Sequence, residues 1–355
     1  MFSNDLINFL EDDFTLISIN VNRFFNDIKG KTIFVTGGTG FFGIWLQLSF
    51  IYMNRKDSLN AKMIILTRNK NKFLHKFPFL NGYGEISYIE GDITTFTFPS
   101  EDIHYIIHAA TEASVNVNQF SPLEMFNTVV NGTKRVLDLA VFKKVISFLF
   151  TSSGAVYGSQ NDIKENINES FFAGPDLTNP LSVYGEAKRM AEVLCTVYAS
   201  NFGASIKVAR GFAFVGPFLP LNTHFAIGNF INDILHNRNI EIRGDGKSVR
   251  SYLYAADLTI WLWIILLNGR NCTAYNVGSD QPISILALAN LVISCSEEKR
   301  DYQISNFKVS YLGANFYVPS IEKARKELGL SVYTDLQSSI QKTIKFYKKF
   351  QQIKV

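Results

Sequence analysis

The 355-residue sequence predicts an α/β fold: a doubly wound parallel sheet followed by a smaller C-terminal α/β lobe. Three observations carry that expectation. From residue 31 onward, short β-rich runs alternate with stretches of helical spacing, the pattern of a parallel sheet covered by helices. The first run ends in a glycine cluster, Gly37 to Gly43, that opens a helix. A later run, VISFLFTSS (145–153), is apolar enough to be buried on both faces.

The elements follow in order. KTIFVTG (31–37) reads as the first strand, and Gly43 to Arg55 as the helix after it. AKMIILTR (61–68), ISYIEGD (86–92) and IHYIIHAA (103–110) supply three more strands. Pro122 to Phe142 reads as a long helix, 145–153 as the fifth strand, Ser182 to Asn201 as a second long helix, and SIKVARGFAF (205–214) as the next strand. After Gly216-Pro217 the rhythm loosens into a helix near Phe225 to Leu235, strands near Ile240 and Tyr252, an apolar helix at 258–267, and closing helices at 320–328 and 335–350. This divides the chain into an extension (1–30), a larger α/β domain (31–215), to which the motifs below assign dinucleotide binding and the catalytic residues, and a smaller lobe (216–355) left mainly for substrate. The extension fits neither lobe by pattern and is assigned a packing role.

Composition narrows the function. Hydrophobic residues make up 47% and charged residues 19%, values of a globular chain. A net charge of +4, with no basic stripe interleaved with aromatics, argues against nucleic-acid binding. Cys195, Cys272 and Cys295 are odd in number and too scattered for zinc-ligand spacing, which suits a reducing cytoplasm. The most apolar run, Leu258 to Leu267, has ten residues where a membrane-spanning helix needs about 20. The start, MFSNDLINFLEDD, has neither a basic region nor a cleavage site, so no signal peptide is expected. The 31 Phe residues, many in pairs such as Phe24-Phe25, Phe41-Phe42 and Phe171-Phe172, are read as core filling over an aromatic ligand platform.

The glycine cluster satisfies two spacings at once. Gly38, Gly40 and Gly43 give G-x-G-x-x-G, and Gly37, Gly40 and Gly43 give G-x-x-G-x-x-G. Such glycines alone also suit a plain structural turn, but between a strand and a helix they let backbone N–H groups approach a pyrophosphate while the helix N-terminus favours its charge. A carboxylate is expected about 20 residues further on to hold the ribose 2′-OH. The second strand instead ends in Thr67-Arg68, which either pairs with a 2′-phosphate and tilts the cofactor toward NADP over NAD, or is a solvated strand-end arginine. Asp92 either accepts from the adenine amine or caps a turn.

Tyr184 and Lys188 stand four residues apart, on one face of a helix, a spacing that by itself equally describes an ordinary surface pair. An adjacent cation favours a phenolate, and such a pair can move a proton at a sugar hydroxyl while a hydride passes to nicotinamide. Ser153 lies at the carboxyl end of the fifth strand, the edge where α/β sheets bind ligands. Its hydroxyl either hydrogen-bonds the reacting oxygen or caps a turn.

Together the motifs resemble an extended short-chain dehydrogenase/reductase with a Rossmann domain, in the NAD-dependent epimerase/dehydratase family that acts on nucleotide sugars. The matching pieces run in family order: GGTGFFG (37–43), GDI (91–93), HAA (108–110), SSGAVYG (152–158), YGEAK (184–188), VGP (215–217), GDGKSVRSYLYAADL (244–258), NVGSDQPISI (276–285) and EKARKELGL (322–330). The resemblance implies that Tyr184 is the acid/base, that Lys188 lowers its pKa and holds the nicotinamide ribose, and that Ser153 takes the catalytic Ser/Thr place. It further implies cofactor contacts at Gly37, Gly40, Phe41, Phe42, Gly43, Arg68, Asp92, Ile93 and Ala109. The substrate, a nucleotide-diphosphate sugar, is expected against Ser153, Tyr184 and Arg250, with Arg250 matching a phosphate-binding arginine. Family members often dimerise through the helices that carry Tyr184 and residues 122–142, so a homodimer is expected.

Departures from the family pattern narrow the chemistry. Gly154 and Ala155 stand where the 4,6-dehydratases carry an acidic pair, and decarboxylases of nucleotide-linked glucuronate usually keep a glutamate at the place of Ala155. Ala213 replaces a common Asn near the substrate phosphates, which shifts the diphosphate grip toward Arg250. A nucleotide-sugar epimerase, at carbon-4 for economy, is the first expectation. An NADPH-dependent 4-keto-sugar reductase is the second, and a non-catalytic NAD(P) sensor or scaffold the third. His108 is read as packing at its strand end and His224 as mainly structural, because neither has metal-ligand partners nearby. Glu112 and Asn222 are pocket candidates by position alone.

Overall fold

The computed structural model describes residues 4–110, 121–158, 165–221, 223, 225–297, 300–305 and 316–350. In chain order the first elements are α1 (Asn4–Phe25), β1 (Thr32–Thr36), α2 (Phe41–Lys56), β2 (Lys62–Thr67), α3 (Lys70–Lys76), β3 (Ile86–Glu90) and β4 (Tyr105–His108). Next come α4 (Pro122–Lys143), β5 (Ser147–Ser153), α5 (Val183–Phe202), β6 (Ile206–Gly211), β7 (Phe214–Val215) and α6 (Ala226–Leu235). The remainder comprises β8 (Ile240–Arg243), β9 (Val249–Arg250), β10 (Leu253–Tyr254), α7 (Ala255–Asn268), β11 (Thr273–Val277), β12 (Ile283–Ser284) and α8 (Ile285–Ser294). It closes with β13 (Tyr302–Ser305), β14 (Phe316–Tyr317), α9 (Glu322–Leu328) and α10 (Leu336–Lys349).

Seven parallel strands form the central sheet in the order β11-β6-β5-β4-β1-β2-β3. The order reverses between β1 and β4, which makes the carboxyl ends of those strands a binding crevice. Strand periodicity builds two cores. Ile33, Val35, Met63, Ile65, Ile107 and Leu149 point to one face, with α1, α2 and α7. Phe34, Ile64, Leu66, Ile106, Phe148 and Phe150 point to the other, with α4 and α5.

The expected run 205–214 divides. β6 ends at Gly211, while Phe214 and Val215 pair with Leu253 and Tyr254 in a separate two-stranded sheet. β11, from beyond residue 216, returns to the central sheet beside β6. The first 30 residues carry α1, whose Leu6, Leu10, Phe14, Ile17, Val21 and Phe25 are all buried. This helix lies across α7 and α2. That placement explains why 255–266 is buried on every side: the sheet covers one face of α7, and α1 covers much of the face that solvent would otherwise wet. Among the described residues, no helix is long and apolar enough to cross a membrane. Most of the Phe residues serve the core, as expected; Phe14, Phe25, Phe34, Phe50, Phe148 and Phe150 are fully buried, whereas Phe172 is exposed.

Candidate active site

The glycine turn lies between β1 and α2, at the switch point. Gly37 is in the left-handed region at φ 68°, and a Cβ there would lie 2.3 Å from the Ala109 carbonyl oxygen. A Cβ on Gly43 would lie 2.2 Å from the Gly38 carbonyl carbon, and one on Gly38 2.6 Å from Ile65. These three are glycines because the protein itself crowds them. Gly40 is different: its φ is −90° and a Cβ would meet only the Gly37 oxygen, at 3.5 Å. Neither backbone conformation nor crowding demands glycine at the N-cap of α2, so this is where an outside group would need backbone approach. A dinucleotide pyrophosphate fits that opening, which faces the helix N-terminus. Gln47 braces the turn by donating to the Gly38 carbonyl at 2.8 Å while accepting from the Tyr88 phenol at 2.7 Å.

Around the turn, Phe42 stands edge-on to Phe214 with ring centroids 5.0 Å apart, beside Phe41. Ala109 ends β4. Ile93 is buried and packs against Gly132 of α4. Arg68 is exposed at the end of β2. Asp92 closes an Asx turn, accepting from the Thr94 N–H at 2.9 Å and its hydroxyl at 2.5 Å. Those bonds hold its carboxyl below the usual range, and Arg68 adds to the effect. His108 is buried between Thr36 (2.6 Å) and Thr133 (3.0 Å), its pKa pushed down to about 3 by burial and then by Lys188. It is a neutral structural link, as expected. Glu112, Asn222 and His224 lie outside the described residues.

Ser153 ends β5, and its Oγ accepts from the Ala155 N–H at 3.1 Å, capping a short 3₁₀ turn. Tyr184 opens α5. The helix comes close to that turn because Gly185 has no side chain; a Cβ there would lie 2.8 Å from the Ala155 oxygen and 2.7 Å from Pro175. Ser153 interacts with the Tyr184 phenol, drawing its pKa down while burial holds it up more strongly. Lys188 is buried on the same helix face and donates to the Thr151 carbonyl at 2.7 Å. Burial lowers its pKa to about 7, with Glu192 opposing. Desolvation is the leading influence at both groups, upward at Tyr184 and downward at Lys188.

Two features were not apparent in the sequence. Tyr317 of β14, opposite Arg250 of β9, interacts with Ser153. Its phenol fills the space beside Gly154, where a Cβ would lie 2.6 Å from the oxygen. Arg250 lies 5.9 Å from the Tyr317 ring centroid and donates to the Val249 carbonyl. Behind the site, Glu192 pairs with Arg210 at 2.6 Å and accepts from Ser152 at 2.5 Å, while Arg210 donates to Tyr157 at 2.8 Å. The one local signal for Tyr317 is Gly154 itself, a glycine without a left-handed φ beside a candidate catalytic serine.

A model of the NAD-dependent epimerase/dehydratase family matches residues 33–278, from β1 through β11. The chain belongs to this family. It is 26% identical over 333 residues to UDP-glucuronic acid decarboxylase 1 of Xenopus tropicalis, covering 92% of this chain and 74% of that protein. It is 29% identical over 288 residues to dTDP-D-glucose 4,6-dehydratase of Dictyostelium discoideum, covering 76% of this chain and 63% of that one. Among solved structures, the UDP-glucuronic acid 4-epimerase from Bacillus cereus, in complex with UDP-glucuronic acid and NAD, superposes with a TM-score of 0.78 at 22% identity, covering 90% of this chain and 99% of that chain. In this epimerase/dehydratase family member, the glycine turn and the Ser153, Tyr184 and Lys188 group stand at one sheet edge, and the turn fits the NAD(P) cofactor that the family name implies.

Proposed function

We propose that the protein is a nucleotide-sugar 4-epimerase that works through a transient keto-sugar with bound NAD(P). The observation that carries this reading is the equipment around Ser153. Tyr184 and Lys188 supply a phenol and an ammonium for proton movement at a sugar hydroxyl. The adjoining Gly154 and Ala155 carry no carboxyl to expel water or steer a decarboxylation, and the Tyr317 phenol occupies the room a side chain at 154 would need. The nicotinamide ring supplies the hydride acceptor and donor when the cofactor is bound. Gly37, Gly40, Gly43, Phe41, Phe42 and Ala109 would hold the diphosphate part of that cofactor, and Arg68, Asp92 and Ile93 its adenosine part. Tyr184 takes the hydroxyl proton and returns it, Ser153 holds the reacting oxygen, and Lys188 steadies the ribose and, when charged, the phenolate. Arg250 takes the substrate diphosphate.

A second reading, an NADPH-consuming 4-keto-sugar reductase, is favoured by one feature, Arg68 at the end of β2 where a ribose-binding carboxylate is expected. One experiment separates the two. Purified protein is incubated with UDP-, GDP-, CDP- and dTDP-sugars, following both isomer formation and absorbance at 340 nm. A new isomer without net absorbance change supports epimerisation, and stoichiometric loss of NADPH with a keto-sugar supports reduction. No turnover of any sugar, with Tyr184→Phe indistinguishable from wild type in cells, excludes both. The same reading makes the protein a homodimer through α4 and α5, which pack together and leave Leu123, Phe126, Met190, Val193 and Val197 exposed.

A further inference from the structure

The Ser153 hydroxyl is approached by two phenols, Tyr184 from α5 and Tyr317 from β14. A serine oxygen has one proton to give and two lone pairs to offer. One lone pair already accepts from the Ala155 N–H at 3.1 Å. What remains is one lone pair and one proton, so the two phenols cannot be served in the same way.

The fold delivers Tyr317 to this point by several independent contacts. β14 runs parallel to β9, which sets Tyr317 opposite Arg250. Its ring packs on Phe212 with centroids 4.7 Å apart and a tilt of 37°. Gly154 yields the space: a Cβ there would lie 2.6 Å from the Tyr317 oxygen and 2.9 Å from Phe212. Since Gly154 does not lie in the left-handed region, the neighbouring rings, and not its backbone conformation, account for the glycine.

We propose that Tyr317 is a positioning residue for the acid/base step, donating its phenol proton to the free lone pair of Ser153 and so directing the Ser153 proton toward Tyr184 and the reacting sugar oxygen. This rests on the catalytic reading above. The chain of donors runs one way, from Tyr317 to Ser153 to the phenolate of Tyr184 or the substrate oxygen, and no proton is gained or lost along it. Burial holds the Tyr317 phenol above its ordinary value, so it remains a donor. The charged and titratable groups that face it are Arg250, Tyr184 and Tyr157. Arg250 opposes the effect of burial without reversing it.

Tyr317→Phe keeps the ring on Phe212 and removes only the oxygen. With a sugar that the wild type turns over, kcat is expected to fall about tenfold with KM within about twofold, the loss of one well-placed hydrogen bond. The acid limb of the kcat profile moves to higher pH, because a Tyr184 phenolate that accepts a weaker bond is a stronger base. In a Ser153→Ala background the same substitution changes kcat by less than about twofold, since its route of action is gone. A readout independent of turnover is the tyrosine 13Cζ resonance of Tyr184 in the NAD-loaded protein, assigned through Tyr184→Phe. Tyr317→Phe and Ser153→Ala are each expected to shift it in the same direction. Gly154→Ala, which pushes the phenol away, does the same and serves if Tyr317→Phe fails to fold. Absence of turnover on every sugar defeats the epimerase reading while leaving this resonance readable. An unmoved Tyr184 resonance in Tyr317→Phe, or kcat effects of Tyr317→Phe and Ser153→Ala that simply multiply, overturns the proposal.

Discussion

Lys188 donates to the Thr151 carbonyl at 2.7 Å while Glu192, one turn further along the same face of α5, pairs with Arg210 at 2.6 Å. Burial brings Lys188 to a pKa of about 7, and Glu192 is the larger of the two influences that raise it. The other is Cys195, and His108 is the further titratable neighbour. Glu192→Gln removes the supporting charge and leaves Arg210 uncompensated. The alkaline limb of kcat, where Lys188 loses its proton, is then expected to move down by about one pH unit. A pH profile measured on folded protein checks this, and an unmoved alkaline limb counts against any influence of Glu192 on Lys188.

The glycines of the first turn are expected to separate by role. Gly40→Ala leaves stability within about 0.5 kcal/mol of wild type, because the added methyl meets only one atom at 3.5 Å. Dinucleotide affinity nevertheless falls at least about tenfold, since the methyl enters the space the pyrophosphate needs. Gly43→Ala reverses the pattern: its Cβ would lie 2.2 Å from the Gly38 carbonyl carbon, and unfolding stability drops by about 1–3 kcal/mol or more. Denaturant unfolding paired with calorimetric titration of NAD and NADP reads both effects and also ranks the two cofactors.

His108 makes stability depend on acid. Its folded pKa of about 3 lies below the ordinary 6.5, so as pH falls through 6.5 the unfolded chain takes up a proton that the folded protein refuses. Its contribution is therefore fully present above pH 6.5 and is lost progressively as pH falls from 6.5 toward 3. Within that window it adds a slope of up to about 1.4 kcal/mol per pH unit. His108→Gln flattens the slope whatever its effect on absolute stability, as measured by urea unfolding at several pH values.

Val193 on α5 is 54% exposed, in line with Met190 and Val197, and Leu123 on the neighbouring α4 is 84% exposed. If these faces join two copies, Val193→Glu sets a charge in the joint and yields monomers with an intact fold. Sedimentation reads the outcome, and a monomeric wild type removes the homodimer from the functional reading.

The parts of the fold that were legible in sequence obey local rules. β1, β2, β4 and β5 are apolar runs buried on both faces, and the Gly37 to Gly43 turn is dictated by backbone approach over a few residues. Ser153, Tyr184 and Lys188 were legible because one strand end and one helical turn hold them. Tyr317 was not, because a two-residue strand has no period of its own and its place depends on pairing with β9. The Arg210 and Glu192 pair was equally hidden, joining β6 to α5 through side chains alone. The Asp92 carboxylate shows the opposite limit: sequence left adenine binding and turn capping open, and the Thr94 bonds account for the cap without addressing the ligand.

The first 30 residues give the last prediction. Leu6, Leu10, Phe14, Ile17, Val21 and Phe25 recur at helical spacing, and their burial covers α7, which without α1 would expose a continuous apolar face. A polar clasp holds α1 down as well: Asp13, 2% exposed, accepts from Lys342 and Tyr254 at 2.5 and 2.8 Å. Leu10→Ala empties a fully buried site and is expected to cost about 2–5 kcal/mol. Asp13→Ala leaves the Tyr254 hydroxyl without its carboxylate and costs about 1–3 kcal/mol. Neither residue touches the Ser153, Tyr184 and Lys188 group, so kcat per folded molecule is expected to remain at the wild-type value in both. Urea unfolding together with active-site-normalised turnover tests this, and a loss of kcat at full folding indicates that α1 acts on the site itself and not only on the core beneath it.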